Sequence, residues 1–229
     1  MSDYHSFGVS NLMDELGTKL LANLLEKNGF GVKLYPYGES LENKKNQLRG
    51  IDCDLILPGK KPIHCDLKFG GMDYGTFIIE LISSYNAENG KVSIRPGWLY
   101  TSESTCIIYA NFVNFQKNEM VFSKAHIVYL NDLRDFIKEL LKHCIGDEVA
   151  IKNGVIHPTI EKLCKYSGVS KTNNIYDEDK DDMEKYGFIN TLECGNFLVL
   201  KNRNYNSLAF CVNRDYFLSK YKSRELSLT

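Results

Sequence analysis

The alternation of apolar and polar positions divides the chain into helical and extended stretches. From Asn11 to Asn28, leucines recur every fourth residue at Leu12, Leu16, Leu20 and Leu24, with Met13 and Leu21 widening the stripe. That period predicts a helix, capped by Ser10 or Asn11 and stopped at Gly29. Phe30–Tyr37 reads as a strand and the polar stretch 38–49 as a mobile loop. Two extended runs follow, Gly50–Leu57 and Ile63–Lys68, and the Pro58-Gly59-Lys60-Lys61-Pro62 turn between them predicts a hairpin. β-branched content makes Thr76–Ser83 a strand. Gly97–Tyr100 and Cys106–Phe112 read as a strand pair, with Val121–Leu130 extended as well. Asn131–Cys144 is an amphipathic helix with Leu133, Phe136, Ile137, Leu140 and Leu141 inward. Pro158–Tyr166 predicts a short helix, and Phe197–Lys201 with Leu208–Val212 a last hairpin.

The hairpin at 50–68 carries chemistry. Strand side chains alternate in direction, so Ile51, Cys53, Leu55, Leu57, Ile63, Cys65 and Leu67 suit a core while Asp52, Asp54, Asp66 and Lys68 gather on the other face. Folding symmetrically about Lys60 would set Asp54 opposite Asp66 and Asp52 opposite Lys68. His64 is read as a packing histidine on the core side. Acids so crowded repel unless a cation offsets them. Carboxylates are hard ligands for Mg²⁺ or Mn²⁺. Hydrolysing a phosphodiester at neutral pH needs such an ion, an activated water and charge stabilisation on the phosphorus oxygens. Asp54, Asp66 and the carbonyl of Leu67 meet the first need, and the ammonium of Lys68 the others. The plainer reading is a solvated strand face with Lys68 paired to an aspartate.

Composition narrows the setting. With 229 residues, 43% hydrophobic and 25% charged, the chain suits one domain with an appendage; the expected division is a core over 1–146 and an extension over 147–229. A net charge of −1 excludes a global basic field. Any nucleic-acid contact must be local, and Lys44, Lys45, Arg49, Lys60 and Lys61 flank the acids closely enough to steer a phosphate backbone. Glu80, set in an apolar run, is a further candidate for lining the cleft, beside Trp98. Ile160–Ser170 has the outline of the first half of a helix-turn-helix, but Asp177–Glu184 follows and would repel DNA, so it reads as a solvated loop. No apolar run approaches the roughly 18–20 residues needed to span a bilayer, so no membrane is expected. The seven cysteines, with no Cys-x-x-Cys, fit free thiols and a cytoplasmic location.

Asp54, a short spacer and then Asp66-Leu67-Lys68 resemble the signature of the PD-(D/E)xK nuclease superfamily. The runs Cys-Asp-Leu-Ile-Leu and Ile-His-Cys-Asp-Leu-Lys are similar to the strand pair of archaeal Holliday junction resolvases, although those have Glu where Asp66 stands. The resemblance covers roughly residues 10–115. It implies an α/β fold, restriction-endonuclease-like, with a mixed central sheet flanked by helices and here a small C-terminal α+β extension. It implies Mg²⁺- or Mn²⁺-dependent cleavage of DNA, with a homodimer as a further expectation. A Glu on the helix before these strands often serves the metal, which makes Glu15 a candidate ligand. Gly50-Ile51-Asp52 resembles the Gly-x-Asp of phage and mobile-element members, and Asp52 is kept as a second ligand. Asp54 stands at the more usual spacing and ranks first. A binding module keeping the fold without catalysis, or an RNA endonuclease, are the alternatives.

Overall fold

The structure, a computed structural model, describes residues 7–36, 40–71, 73–88, 91–114, 119–165, 193–201 and 206–228. It is mixed α/β and divides into two compact units whose segments interleave along the chain. The first comprises Met1–Tyr74, Ser102–Leu130 and Lys222–Thr229, and the second Gly75–Thr101 and Asn131–Tyr221. The expected division at residue 146 is therefore replaced by interleaved segments.

In the first unit, a six-stranded sheet runs in the order β1 (Gly31–Leu34), β2 (Cys53–Ile56), β3 (Ile63–Gly70), β6 (Cys106–Asn114), β7 (Glu119–Tyr129) and β12 (Ser223–Glu225). Only β3 and β6 are parallel, so the sheet is mixed, as expected. Helix α1 (Phe7–Lys27) packs on β1 and β3. Its buried positions are Gly17, Leu21, Leu24 and Leu25, with Leu16 and Leu20 half-buried, because 3.6 residues per turn carries an every-fourth-residue row gradually off the face. Gly29, at φ +83°, closes the helix while the Phe30 N–H returns to the carbonyl of Leu25. These leucines meet Cys53, Leu55, Cys65, Leu67 and Phe112 in one core. Cys53, Cys65 and Cys106 lie side by side across β2, β3 and β6. Hydrogen bonds to Cys106 and Cys53, together with burial, push the Cys65 thiol far up, so the row is neutral packing.

The stretch expected as a mobile loop holds helix α2 (Leu41–Leu48). Ser40 caps it, its hydroxyl accepting from the Asn43 N–H at 3.0 Å. Side chains then tie it down: Asn43 donates to the Pro36 carbonyl, Gln47 to that of Tyr35, and Lys33 pairs with Glu42 at 3.0 Å. The polar composition that suggested a loop is what fastens the helix.

In the second unit, a four-stranded antiparallel sheet runs β10 (Gly195–Lys201), β11 (Asn206–Asn213), β4 (Thr76–Glu88) and β5 (Lys91–Pro96). The short strands β8 (Ile151–Lys152) and β9 (Val155–Ile156) pair separately. The strands at 76–83 and 106–112, the helix α4 (Leu130–Ile145) and the β10–β11 hairpin all form. Gly97–Tyr100 does not form a strand; Trp98–Thr101 is a short helix, α3. A Cβ on Gly97 would lie 2.2 Å from the Glu80 carbonyl oxygen, so the backbone there presses on β4 and turns away. Helix α5 (Pro158–Lys165) joins the unit through Glu161, which accepts from the Tyr85 hydroxyl at 2.9 Å. The acidic run Asp177–Glu184 lies outside the described residues.

Candidate active site

β2 pairs with β3 through Cys53–Cys65, Asp54–His64 and Leu55–Ile63. The register expected from symmetry about Lys60 is therefore wrong by two residues, and Asp54 does not face Asp66. The turn is centred on Gly59, where φ is +71°, a left-handed conformation that glycine adopts without strain and Lys60 would not. A slip of two keeps the three aspartates and Lys68 on their expected face. One step further along the same register, Asp52 stands beside Asp66, and the Asp52 N–H donates to the Cys65 carbonyl at 2.8 Å.

β3 continues to Gly70 while β2 begins only at Cys53, so Asp66–Gly70 has no strand partner on the β2 side. Polar groups converge on that gap. The Leu67 N–H donates to Asp52 Oδ2 at 2.8 Å, and Lys68 Nζ meets Asp66 Oδ1 at 2.6 Å. The carboxyl groups of Asp52 and Asp66 lie within hydrogen-bonding reach of one another. Asp66 is only 2% exposed. Burial pushes its carboxyl up to about 7; Lys68 pulls it back and Asp52 adds to the rise. Asp14, from α1, is the fourth charged group and keeps contact with solvent. Partial desolvation and the nearby Asp52 raise its carboxyl, and Lys68 lowers it.

Glu15 is not the residue that α1 brings here. Its carboxylate pairs with Lys19 at 2.9 Å on the exposed flank of the helix. Asp14 precedes Gly17, Leu21, Leu24 and Leu25 by three, seven, ten and eleven residues, and so continues the line of the buried stripe. An acid in line with a buried stripe was the signal that would have found it. Gly17 sets the spacing: a Cβ there would lie 2.9 Å from the Phe69 ring, whose neighbour in the chain is Lys68.

Asp54 sits two residues along on the same face, 5% exposed. Both its oxygens are engaged. Oδ2 accepts from the Tyr35 hydroxyl at 2.7 Å and Oδ1 meets His64 Nδ1 at 2.6 Å. His64 thus belongs to the acid face and is half-exposed; it is not core packing. Ahead of Asp52, Gly50 adopts φ +67°, and a Cβ on it would stand 2.8 Å from Ser102 Oγ. Ser102 in turn donates to the Gly50 carbonyl, fixing the approach to Asp52.

The remaining candidates are carried by other elements. Lys44 and Lys45 are exposed on α2, and Arg49 at its end pairs with Glu103 at 2.6 Å. Lys60 and Lys61 are exposed at the closed end of the hairpin. Glu80 and Trp98 belong to the second unit, Glu80 opposite Ala209 in the β4–β11 register. Among the described residues, no three His, Cys, Asp or Glu side chains form a ready-made metal cage. No described helix is long and apolar enough to cross a membrane. Comparison with protein-family models, curated proteins and solved structures finds no match to the chain.

Proposed function

We propose that the chain hydrolyses phosphodiester bonds of nucleic acid, DNA in the first place, with a divalent cation at the Asp52–Asp66 pair. The observation that carries this is a nearly fully buried carboxyl pushed up to about 7 beside a second carboxyl and a lysine, at the open end of a strand pair. Such an arrangement is costly for the protein alone and is relieved by a positive ion. The donors are all oxygen, which suits Mg²⁺ or Mn²⁺. Asp52, Asp66 and the Leu67 carbonyl would hold the ion, with Asp14 reaching it directly or through water. When bound, the ion lowers the pKa of water and neutralises charge on the phosphoryl oxygens. Lys68 holds Asp66 and brings its ammonium to the attacking water or to a phosphoryl oxygen. Asp54, with both oxygens taken, acts as a structural anchor for His64 and Tyr35 in this scheme.

The resemblance to PD-(D/E)xK nucleases supports the same reading, with Asp52 in the first acidic position and Asp14 in the helical one. A restriction-endonuclease-like fold, a homodimer and a phage or mobile-element setting belong to the proposal on that ground alone. All seven cysteines are free thiols, which supports a cytoplasmic setting. One observation favours a second reading, a binding module without catalysis: the 2.6 Å Lys68–Asp66 pair satisfies part of the charge without any ion.

The experiment is cleavage of plasmid, single-stranded DNA and single-stranded RNA with Mg²⁺, Mn²⁺ or EDTA, using the wild type, Lys68→Ala and Asp66→Asn. Metal-dependent cutting by the wild type that drops at least a hundredfold in both variants supports the assignment. Cutting that survives in both overturns the site, and no cutting of any substrate favours the binding module.

A further inference from the structure

Helix α2 is amphipathic in the wrong sense. At 3.6 residues per turn, Leu41, Lys44, Lys45 and Leu48 share one stripe about 100° wide. That stripe faces out. Leu41 is 71% exposed and Leu48 87%, and both lysines are exposed. The opposite side carries Asn43, Asn46 and Gln47, half-buried and in part hydrogen-bonded to the backbone of the β1 end. No residue of the helix is buried. A helix held by its amides that turns two leucines to solvent forgoes the burial each leucine could gain. Propensity does not require leucine at both places, since Lys, Gln and Glu form helices almost as well.

The stripe is also fixed in position relative to the acid pair. Gly50 N–H donates to the Gln47 carbonyl and Ile51 N–H to that of Asn46, and Ile51 is fully buried. Leu48 therefore stands four residues ahead of Asp52 on a braced segment. The stripe carries two positive charges and no carboxylate; Glu42, the one acid of the helix, lies off it and pairs with Lys33.

We infer that the outward stripe of α2 docks on nucleic acid whose bases are unstacked, Lys44 and Lys45 meeting phosphates and Leu41 and Leu48 lying against exposed base faces. The charge complementarity argues for a polyanion. The leucines argue for bases within reach, because the phosphate rails of an intact duplex offer them nothing apolar, whereas single strands and opened steps accept apolar side chains. This rests on the phosphodiesterase reading and narrows its substrate to single-stranded or locally opened nucleic acid.

The test is fluorescence anisotropy in EDTA, so that no cleavage intervenes, with labelled single-stranded, gapped and intact duplex oligonucleotides. Leu41→Gln/Leu48→Gln should weaken single-strand and gapped binding at least tenfold and change intact-duplex binding by less than twofold. Lys44→Gln/Lys45→Gln should weaken all three and flatten the salt dependence of log K by about 1.4 on single strands and about 1.8 on duplex, at roughly 0.7 and 0.9 per phosphate contact. Since all four residues are exposed, circular dichroism of the variants should match the wild type. A leucine variant that binds single strands as the wild type does, or loses every substrate equally, overturns the inference while leaving the phosphodiesterase reading intact. A wild type that neither binds nor cuts any oligonucleotide overturns both. Binding to phosphatidylserine vesicles that the same variants lose, with oligonucleotide binding unaltered, overturns the inference in favour of a membrane surface.

Discussion

Replacing Asp66 by Asn should make the metal-free protein more stable at alkaline pH. Burial is the largest cause of the rise of this carboxyl from 3.8 to about 7. A carboxyl whose folded pKa lies above its unfolded value binds its proton more tightly in the folded state. Its contribution is then fully present below about 3.8 and is lost as pH rises through about 7. At 1.36 kcal/mol per pH unit, the gap corresponds to about 4 kcal/mol lost between those limits. The neutral amide of the Asp66→Asn variant carries no such loss. The net gain at pH 8 is smaller than about 4 kcal/mol by whatever Lys68 forfeits with its 2.6 Å partner. Trp98, the single tryptophan, belongs to the other unit, so its fluorescence reads the wrong part of the molecule. Hydrogen exchange of β3 amides, in EDTA from about pH 4.5 to 8.5, reads the right one. Wild-type stability should fall relative to the variant across that range. Mg²⁺ at about a hundred times its Kd should then return about 2.7 kcal/mol to the wild type and nothing to the variant. Parallel pH profiles, or equal stabilisation by Mg²⁺, would refute the reasoning.

Other substitutions probe the supports of the site. Gly17→Ala gains about 1 kcal/mol in helix propensity, but its Cβ would stand 2.9 Å from a Phe69 ring already packed on Phe112 and Phe122. Urea unfolding should show a net loss of about 1–2 kcal/mol, and Gly17→Ala/Phe69→Leu should recover it; a single variant more stable than the wild type contradicts the packing. Gly50→Ala combines a positive φ with a 2.8 Å approach to Ser102 Oγ and should cost at least about 2 kcal/mol by the same measurement. Tyr35→Phe removes a hydrogen bond to a buried carboxylate, a loss of about 1.5–3 kcal/mol, yet should leave the rate of cleavage within a factor of a few. A rate falling a hundredfold with unchanged stability would return Asp54 to the catalytic centre.

The faces of the hairpin, His64 excepted, were legible in the sequence because alternation is a local property; His64 shares the parity of Asp66 and Lys68 and pairs with Asp54. Its register was not, because that depends on which residue turns the corner, and Gly59 rather than Lys60 has the backbone freedom to do so. The two-residue slip is why Asp52, not Asp54, stands beside Asp66. Asp14 was hidden by reading the leucines of α1 in strict fours; its phase with Gly17, Leu21 and Leu24 places it in line with the inner stripe. Helix α2 was mistaken for a loop because it lacks an inward apolar face; the Ser40 cap, the Lys33–Glu42 pair and the tertiary hydrogen bonds of Asn43 and Gln47 hold it instead. The interleaved units were out of reach of any local pattern, since β4 pairs with β11, more than a hundred residues away.

Whether the Asp52–Asp66 pair holds a cation decides the matter most directly. Titration of Mn²⁺ followed by paramagnetic resonance, on the wild type, Asp52→Asn, Asp54→Asn and Asp66→Asn, measures this without reference to any substrate. A bound ion is predicted in the wild type and in Asp54→Asn, with its loss in Asp52→Asn and Asp66→Asn. An ion that departs with Asp54 alone, or no binding by the wild type at millimolar Mn²⁺, would contradict the assignment.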